Sequence, residues 1–207
     1  MKNLLRKVRS GIIYSLSMRQ LRRNGRLKSK GVYLTFDDGP EPDITEFVLE
    51  ELARHKAKAT FFCAGKNIEK YPALLKRILD EGHSVGSHTY SHINAHRVSS
   101  GLYLNDVKRF DAQIETPLFR PPWGAMTLRT FFSLRKTKDI VLWHLSSNDF
   151  ALDRFDLQHD LEKLKKGTKG GQIVLFHFCH RHENETRQIL PLYLDWLDSQ
   201  DFLLLSL

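Results

Sequence analysis

Two adjacent carboxylates are the first residues of this sequence that could do chemistry. Asp37 and Asp38 close an apolar run and are followed by Gly39 and Pro40, which favour a turn. Neighbouring carboxylates repel each other and are costly to ionise together unless a cation or an arginine separates their roles. A bound metal ion would do this, although an Asp-Asp-Gly-Pro segment is by itself also an ordinary turn.

Two histidines offer the nitrogen ligands that such an ion would need. His88 and His92 are four residues apart, and over one helical turn this spacing directs both imidazoles to the same side. With Asp38 they would give one oxygen and two nitrogen ligands and leave positions open for water and substrate, as a catalytic ion requires. We expect zinc, while cobalt, nickel or manganese would also suit these ligands. A capped helix start could carry the same spacing, so the aspartates are needed for this interpretation.

The elements that position these residues alternate between strand and helix. The hydrophobic pattern predicts strands at 32–36, 60–64, 83–87, 118–120, 139–144, 172–177 and 202–205. It predicts helices near 43–56, 71–81, 102–115, 126–136, 154–166 and 184–198. This alternation is typical of a parallel sheet whose catalytic loops follow the carboxyl ends of the strands. We therefore predict an α/β fold, a distorted and incompletely closed (β/α)7 barrel with parallel strands.

The positive charge of the chain is concentrated at its beginning. The 207 residues have a formal net charge of +8, and residues 1–30 hold ten Lys and Arg side chains but no Asp or Glu. We interpret 1–30 as a basic amphipathic arm and 31–207 as one folded domain. The arm could form a helix on an anionic membrane surface or a solvated lead-in. Its apolar residues recur at roughly helical spacing, at Leu4, Leu5, Val8, Ile12 and Leu16.

Composition narrows the class of protein. A chain that is 41% hydrophobic and 27% charged is neither disordered nor a multi-span membrane protein. The apolar stretch 11–18 is too short to span a membrane and lacks a signal-peptide cleavage pattern. We therefore expect a cytoplasmic protein, whose arm either contacts the inner membrane face peripherally or is a solvated lead-in. No recognition module follows the arm, so we expect no nucleic-acid partner. Cys63 and Cys179 cannot supply a disulfide scaffold and are expected as buried thiols.

Five ordered motifs make the chain resemble the polysaccharide deacetylases of the NodB-homology type, carbohydrate esterase family four, over roughly residues 31–207. Four match well, at 35–40, 88–92, 120–124 and 175–177. The resemblance implies that Asp37 is the catalytic base and that Asp38, His88 and His92 are metal ligands. It also implies roles for four further residues: Arg120 orients the base, the Trp123 backbone N–H helps to hold the oxyanion, Leu175 lines the acetyl pocket, and His177 is the general acid.

The fourth motif departs from the family pattern. Asp149 stands where the family supports the catalytic histidine, but Ser146 replaces an aspartate and Phe150 replaces the tryptophan that usually walls the acetyl pocket. These changes leave the acid function intact and bear on acyl-group size. Nearby, the cluster 180–182 would form either the rim of the cleft or a solvated turn, and Trp143 is expected in the core.

The residue types and the resemblance predict the same reaction. Amide hydrolysis needs an activated water, an oxyanion site and a proton donor, and the motifs contain candidates for all three. We expect metal-dependent hydrolysis of the N-acetyl group of an amino sugar in a polysaccharide, with acetate as product. Two alternatives are deacylation of a lipid-linked amino sugar at the membrane surface and, in another class, a non-catalytic relative that binds glycan.

Overall fold

A computed structural model describes residues 2–207, with side chains from residue 11 onward. The strands are β1 (Gly31–Asp37), β2 (Ala59–Cys63), β3 (Ser84–Ser87), β4 (Leu118–Phe119), β5 (Asp139–Ile140), β6 (Leu145–Ser146), β7 (Gln172–His177) and β8 (Leu203–Leu204). The helices are α1 (Lys2–Arg23), α2 (Ile44–Arg54), α3 (Gly65–Lys70), α4 (Pro72–Asp80), α5 (Ser100–Asp111), α6 (Leu128–Leu134), α7 (Leu157–Gly167) and α8 (Glu183–Asp198).

The sheet is parallel and open. Its strand order is β5-β4-β3-β2-β1-β7-β6, with β8 pairing only with the beginning of β1. No pairing joins β5 to β6 among the described residues, so the barrel is not closed there. The predicted α/β fold with an incompletely closed parallel barrel is confirmed.

The predicted strand at 139–144 is wrong in its extent. Only Asp139–Ile140 pairs with β4, while Leu145–Ser146 pairs with β7 on the other edge of the sheet. The four residues 141–144 between them carry the chain from one edge to the other. The sequence is apolar from one strand to the other because both strands and the residues between them are buried or half-buried. A hydrophobic pattern does not show where strand pairing stops.

Alternating residues of the central strands divide between two apolar layers. Val32, Leu34 and Phe36 of β1 pack outward with α2, α7 and α8, whereas Tyr33 packs inward with Phe62 and other residues of the barrel interior. This alternation follows from the period of two in a strand. At the carboxyl end of β1 the inward positions are polar, so the interior changes from an apolar core to a reactive cleft.

The basic arm forms α1, and the described part of this helix packs on the barrel. Ile13, Met18 and Leu21 are buried in the inner apolar layer, and Leu16 packs against it. The side chains of three other predicted apolar positions, Leu4, Leu5 and Val8, lie outside the described residues. Ile12 is exposed.

Polar contacts fix α1 beside β5. Asp139 Oδ1 accepts hydrogen bonds from Gln20 (3.0 Å) and Asn24 (2.7 Å), and its Oδ2 accepts one from Arg26 at 3.2 Å. The Tyr14 ring meets the His144 ring edge-on, with centroids 6.0 Å apart. Because Asp139 and His144 flank the link between the two sheet edges, α1 lies along the open side of the barrel.

Candidate active site and metal centre

The register of the sheet brings the ends of two neighbouring strands together. Asp37 ends β1 and His177 ends β7, and the two residues are direct partners in the parallel pairing. On the other side Asp37 is the partner of Phe62. The predicted base and acid thus start from adjacent backbone positions at the carboxyl edge of the sheet, where catalytic groups of such folds collect.

A buried arginine holds Asp37. Arg120 is 0% exposed, and its Nη1 donates to Asp37 Oδ1 at 2.7 Å and to Thr35 Oγ1 at 2.8 Å. Its Nε donates to the Val141 carbonyl at 3.2 Å, and the guanidinium lies 4.2 Å from the centre of the Phe62 ring. Burial lowers the pKa of Arg120 and the Asp37 charge opposes that effect. Oδ1 of Asp37 is therefore committed to an ion pair, whereas Oδ2 lies 3.8 Å from His88 Nε2.

Asp38 and two imidazoles converge on one point. Asp38 Oδ1 lies 3.3 Å from His88 Nε2 and 3.0 Å from His92 Nε2. These separations suit neighbouring ligands on one ion with bonds of about 2.1 Å. His88 Nδ1 donates to the Arg120 carbonyl at 2.8 Å, which directs Nε2 into the cluster in the way that ligand histidines are usually oriented.

The charge state of Asp38 suits a ligand. Burial would raise the pKa of its carboxyl, but hydrogen bonds with His88 and His92 and the charges of His88 and His177 outweigh that effect and lower the pKa well below its usual range. An ionised carboxylate beside two imidazoles fits the donor set that binds divalent transition metals.

The histidine pair converges through a loop and not through a helical turn. Residues 88–92 follow β3 without helical structure, and Thr89 (φ 64°) and His92 (φ 52°) are left-handed. Asp38 is also left-handed, with φ 84°. Such backbone conformations cost about 1–3 kcal/mol each in non-glycine residues and collect at functional sites. The helical-turn interpretation of the four-residue spacing is wrong, although the side chains still meet.

A buried carboxylate supports His177. Asp149 Oδ1 lies 2.8 Å from His177 Nδ1, and Asp149 Oδ2 accepts from the His177 backbone N–H at 2.6 Å and from Thr186 Oγ1 at 3.0 Å. Burial works against the charged imidazole, but the charge and hydrogen bond of Asp149 prevail and raise the pKa of His177 to about 9. The ring is thus protonated at neutral pH and can donate a proton.

The cleft in front of these groups has a volume of about 440 Å³. Leu175 and Phe150 line it, and the Phe150 ring lies 5.7 Å from the His177 ring. Trp123 lies at its mouth, 60% exposed, with its ring 4.3 Å from His92 and a left-handed backbone (φ 57°). The cleft therefore combines an apolar wall with titratable groups, as small-ligand sites commonly do.

Some residues that line the cleft were not assigned to the site by the sequence. Trp143, expected in the core, lines the cleft together with Arg181 and His182. Of the two alternatives for 180–182, the rim of the cleft is observed for Arg181 and His182, whereas His180 is exposed and contacts Glu41. Cys179 and His182 form a second group of possible metal donors with Asp38, all within 4.8 Å. Both are buried, as is Cys63. The sequence signal for these residues was the basic cluster 180–182, which follows the fifth motif.

The open parallel barrel matches the incomplete (β/α)7 barrel of the carbohydrate esterase family-four deacetylases. A sequence model of the family described as Polysaccharide deacetylase matches residues 24–138, more than half of the chain. The chain belongs to this family and is an enzyme of the group that hydrolyses N-acetyl amide bonds.

Curated relatives and solved structures agree with this assignment. A peptidoglycan-N-acetylglucosamine deacetylase of Bacillus cereus is 34% identical over 181 residues, which cover 84% of each chain. The peptidoglycan-N-acetylmuramic acid deacetylase PdaC of Bacillus subtilis is 32% identical over 160 residues, 73% of this chain but 33% of PdaC. The Bc1960 peptidoglycan N-acetylglucosamine deacetylase superposes with a TM-score of 0.81 at 28% identity over 87% of both chains.

The same fold also occurs in a protein described as a pseudoenzyme. BA3943 is described as a pseudoenzyme of carbohydrate esterase family four, and the solved structure is of a mutant with restored enzymatic activity. This structure has a TM-score of 0.73 and 25% identity, and the match covers 87% of this chain and 66% of that chain. The fold is therefore shared by a pseudoenzyme and by enzymes of the same family.

Replacing Arg120 with methionine should destabilise the protein strongly, because it leaves the buried Asp37 carboxylate without its partner. We expect a loss of about 3–5 kcal/mol in the free energy of unfolding, measured by urea denaturation. Arg77→Met is the matched control, since the Arg77–Glu81 pair is partly exposed and should be worth under about 1 kcal/mol. Equal effects of the two substitutions would contradict this.

Two donor groups share Asp38, and the geometry favours the one with His88 and His92. We expect His92→Ala to weaken zinc binding by at least about a hundredfold and Cys179→Ser to leave it unchanged, as measured by competition with a chromophoric chelator. The cobalt-loaded protein should show no thiolate charge-transfer band. Loss of binding in Cys179→Ser with retention in His92→Ala would show that the ion lies in the other group.

Proposed function

We propose that this protein hydrolyses the N-acetyl group of an amino sugar in a glycan, using a divalent ion held by Asp38, His88 and His92. The observation that carries the proposal is the convergence of three different functions on one cleft: a carboxylate paired with Arg120, an oxygen-nitrogen donor cluster, and a protonated histidine. Zinc is the proposed ion, with cobalt, nickel or manganese as alternatives that the donor set would also accept. When bound, the ion would lower the pKa of water and polarise the acyl oxygen.

The residues of the chain would divide the remaining work. Asp37, aimed by Arg120, would accept the proton of the attacking water. The Trp123 backbone N–H would donate to the developing oxyanion, and Leu175 and Phe150 would enclose the acetyl methyl group. His177, kept protonated by Asp149, would give its proton to the departing nitrogen, so that the products are a free amine and acetate.

The substrate class rests on the relatives. Because the chain spans 84% of a peptidoglycan-N-acetylglucosamine deacetylase at 34% identity, we propose N-acetylglucosamine residues of a peptidoglycan-type chain as substrate. A lipid-linked amino sugar would present the same amide. Attachment of 1–30 to a membrane stays a prediction. Ile13, Met18 and Leu21 are buried against the barrel and Ile12 is exposed, so the described part of α1 has most of its apolar side already covered. No described helix combines the length and apolarity needed to cross a bilayer.

Acetate release tests the proposal directly. Zinc-loaded protein should release acetate from N-acetylglucosamine oligomers, and Asp37→Asn should reduce the rate by about 10²–10⁴-fold because the general base is lost. Asp153→Asn, which changes an exposed aspartate outside the cleft, should keep the wild-type rate. Binding of oligomers without acetate release from them or from lipid-linked sugars would favour the glycan-binding alternative.

The pH profile tests the acid. A general acid must be protonated, so the rate should fall as pH rises through the pKa of His177, about 9. Asp149→Asn removes the charge that raises this pKa, and the alkaline limb of kcat against pH should therefore move to lower pH. Circular dichroism would confirm that the variant is folded. An alkaline limb at the same pH in a folded variant would contradict the role of the pair.

A further inference from the structure

The helix α1 provides a surface that continues from the cleft. A second cavity of about 460 Å³ lies between α1 and the loop after β4, and Trp123 and Trp143 line both this cavity and the cleft. Gly11, Ile13 and Tyr14 of α1 form its other side. Because the family match begins at residue 24, this wall lies outside the matched segment.

A third cavity extends the surface along the same helix. It has a volume of about 390 Å³ and shares Tyr14 with the second cavity. Arg19 and Arg22 line it together with His144. We call the second and third cavities the α1 groove, defined by Tyr14, Trp143, His144, Arg19 and Arg22. The shared residues place the second cavity next to the cleft and the third cavity, with its two arginines, next to the second.

The α1 groove is both preformed and positively charged. The contacts of Gln20, Asn24 and Arg26 with Asp139 hold α1 in place, so little ordering is required when a ligand binds. Arg19 and Arg22 form no ion pair with any acidic residue in the part of the chain that the structure describes. Burial and the nearby charge of Arg22 lower the pKa of His144, so its ring is neutral at pH 7 and the positive charge comes from the arginines.

The order of groups along the groove matches the chemistry of a sugar chain. Aromatic rings next to the cleft offer flat surfaces to the apolar faces of pyranose rings. Guanidinium groups further along bind carboxylates through directed, charge-assisted hydrogen bonds. We propose that the α1 groove binds the unreacted part of a glycan chain whose sugars carry carboxylates, with rings on Tyr14 and Trp143 and a carboxylate on Arg19 and Arg22. This inference rests on the proposed function.

Matched substrates separate the groove from the reaction. We would compare a neutral N-acetylglucosamine oligomer with an oligomer of equal length in which N-acetylglucosamine alternates with N-acetylmuramic acid. Arg19→Gln/Arg22→Gln should lower kcat/KM for the carboxylate-bearing oligomer by about fivefold, mainly through KM, because two exposed ion pairs are lost. The neutral oligomer should be affected less than about twofold. The loss should shrink with added salt.

The control variant carries the same change in charge outside the groove. Arg23→Gln/Lys30→Gln removes two exposed cations that do not line it and should leave the preference for the carboxylate-bearing oligomer unchanged. Binding of both oligomers to metal-free protein, followed by tryptophan fluorescence, gives a readout independent of turnover. If neither oligomer releases acetate, the proposed function fails, while selective loss of binding in Arg19→Gln/Arg22→Gln would still support the groove. Equal effects on both oligomers, or equal effects of the two double variants, would overturn the inference.

Discussion

The ion pair between Arg120 and Asp37 is the constraint on which the site depends. A guanidinium with no exposed surface must be paired, and the nearest anion is one of two adjacent carboxylates. By binding Asp37, Arg120 removes the repulsion that would otherwise make it costly to ionise both aspartates. Asp38 can then turn to His88 and His92 through a left-handed backbone. The two neighbouring carboxylates thus have different partners because one of them is paired with a buried cation.

The arrangement also connects the site to the fold. Arg120 follows β4, reaches Thr35 and Asp37 at the end of β1, and accepts the His88 ring N–H at its own carbonyl. Three strands are thus linked at their carboxyl ends by a single residue. A buried charged group without a partner destabilises the folded state, so a shift of these strands that broke the ion pair would be unfavourable. The fold and the donor cluster therefore stabilise each other.

The sequence predicted the parts of the fold that local patterns determine. Strand and helix alternation predicted the parallel open barrel, and the motifs predicted that Asp37, Arg120 and His177 lie near one another, because each stands at or just after the end of a strand. The bounds of the two-residue strands β5 and β6 could not be predicted from the sequence, since the extent of each strand depends on a partner strand elsewhere in the chain. The same holds for the left-handed loop that brings His88 and His92 together, and for Cys179 and His182, whose approach to Asp38 depends on the tertiary fold. Charge counting identified the basic arm, but only the structure shows that Tyr14 lines the cavity next to the cleft and that Arg22 lines the cavity beyond it.

Zinc anomalous diffraction from crystals of the zinc-loaded protein would test the central claim, that Asp37 and Asp38 have separate roles, most directly. It should place one ion within about 2.3 Å of an Asp38 oxygen and of His88 Nε2 and His92 Nε2. Asp37 should not bind the ion and should keep its contact with Arg120. An ion bound by Asp37, or by Cys179 and His182 in place of the two histidines, would contradict that division.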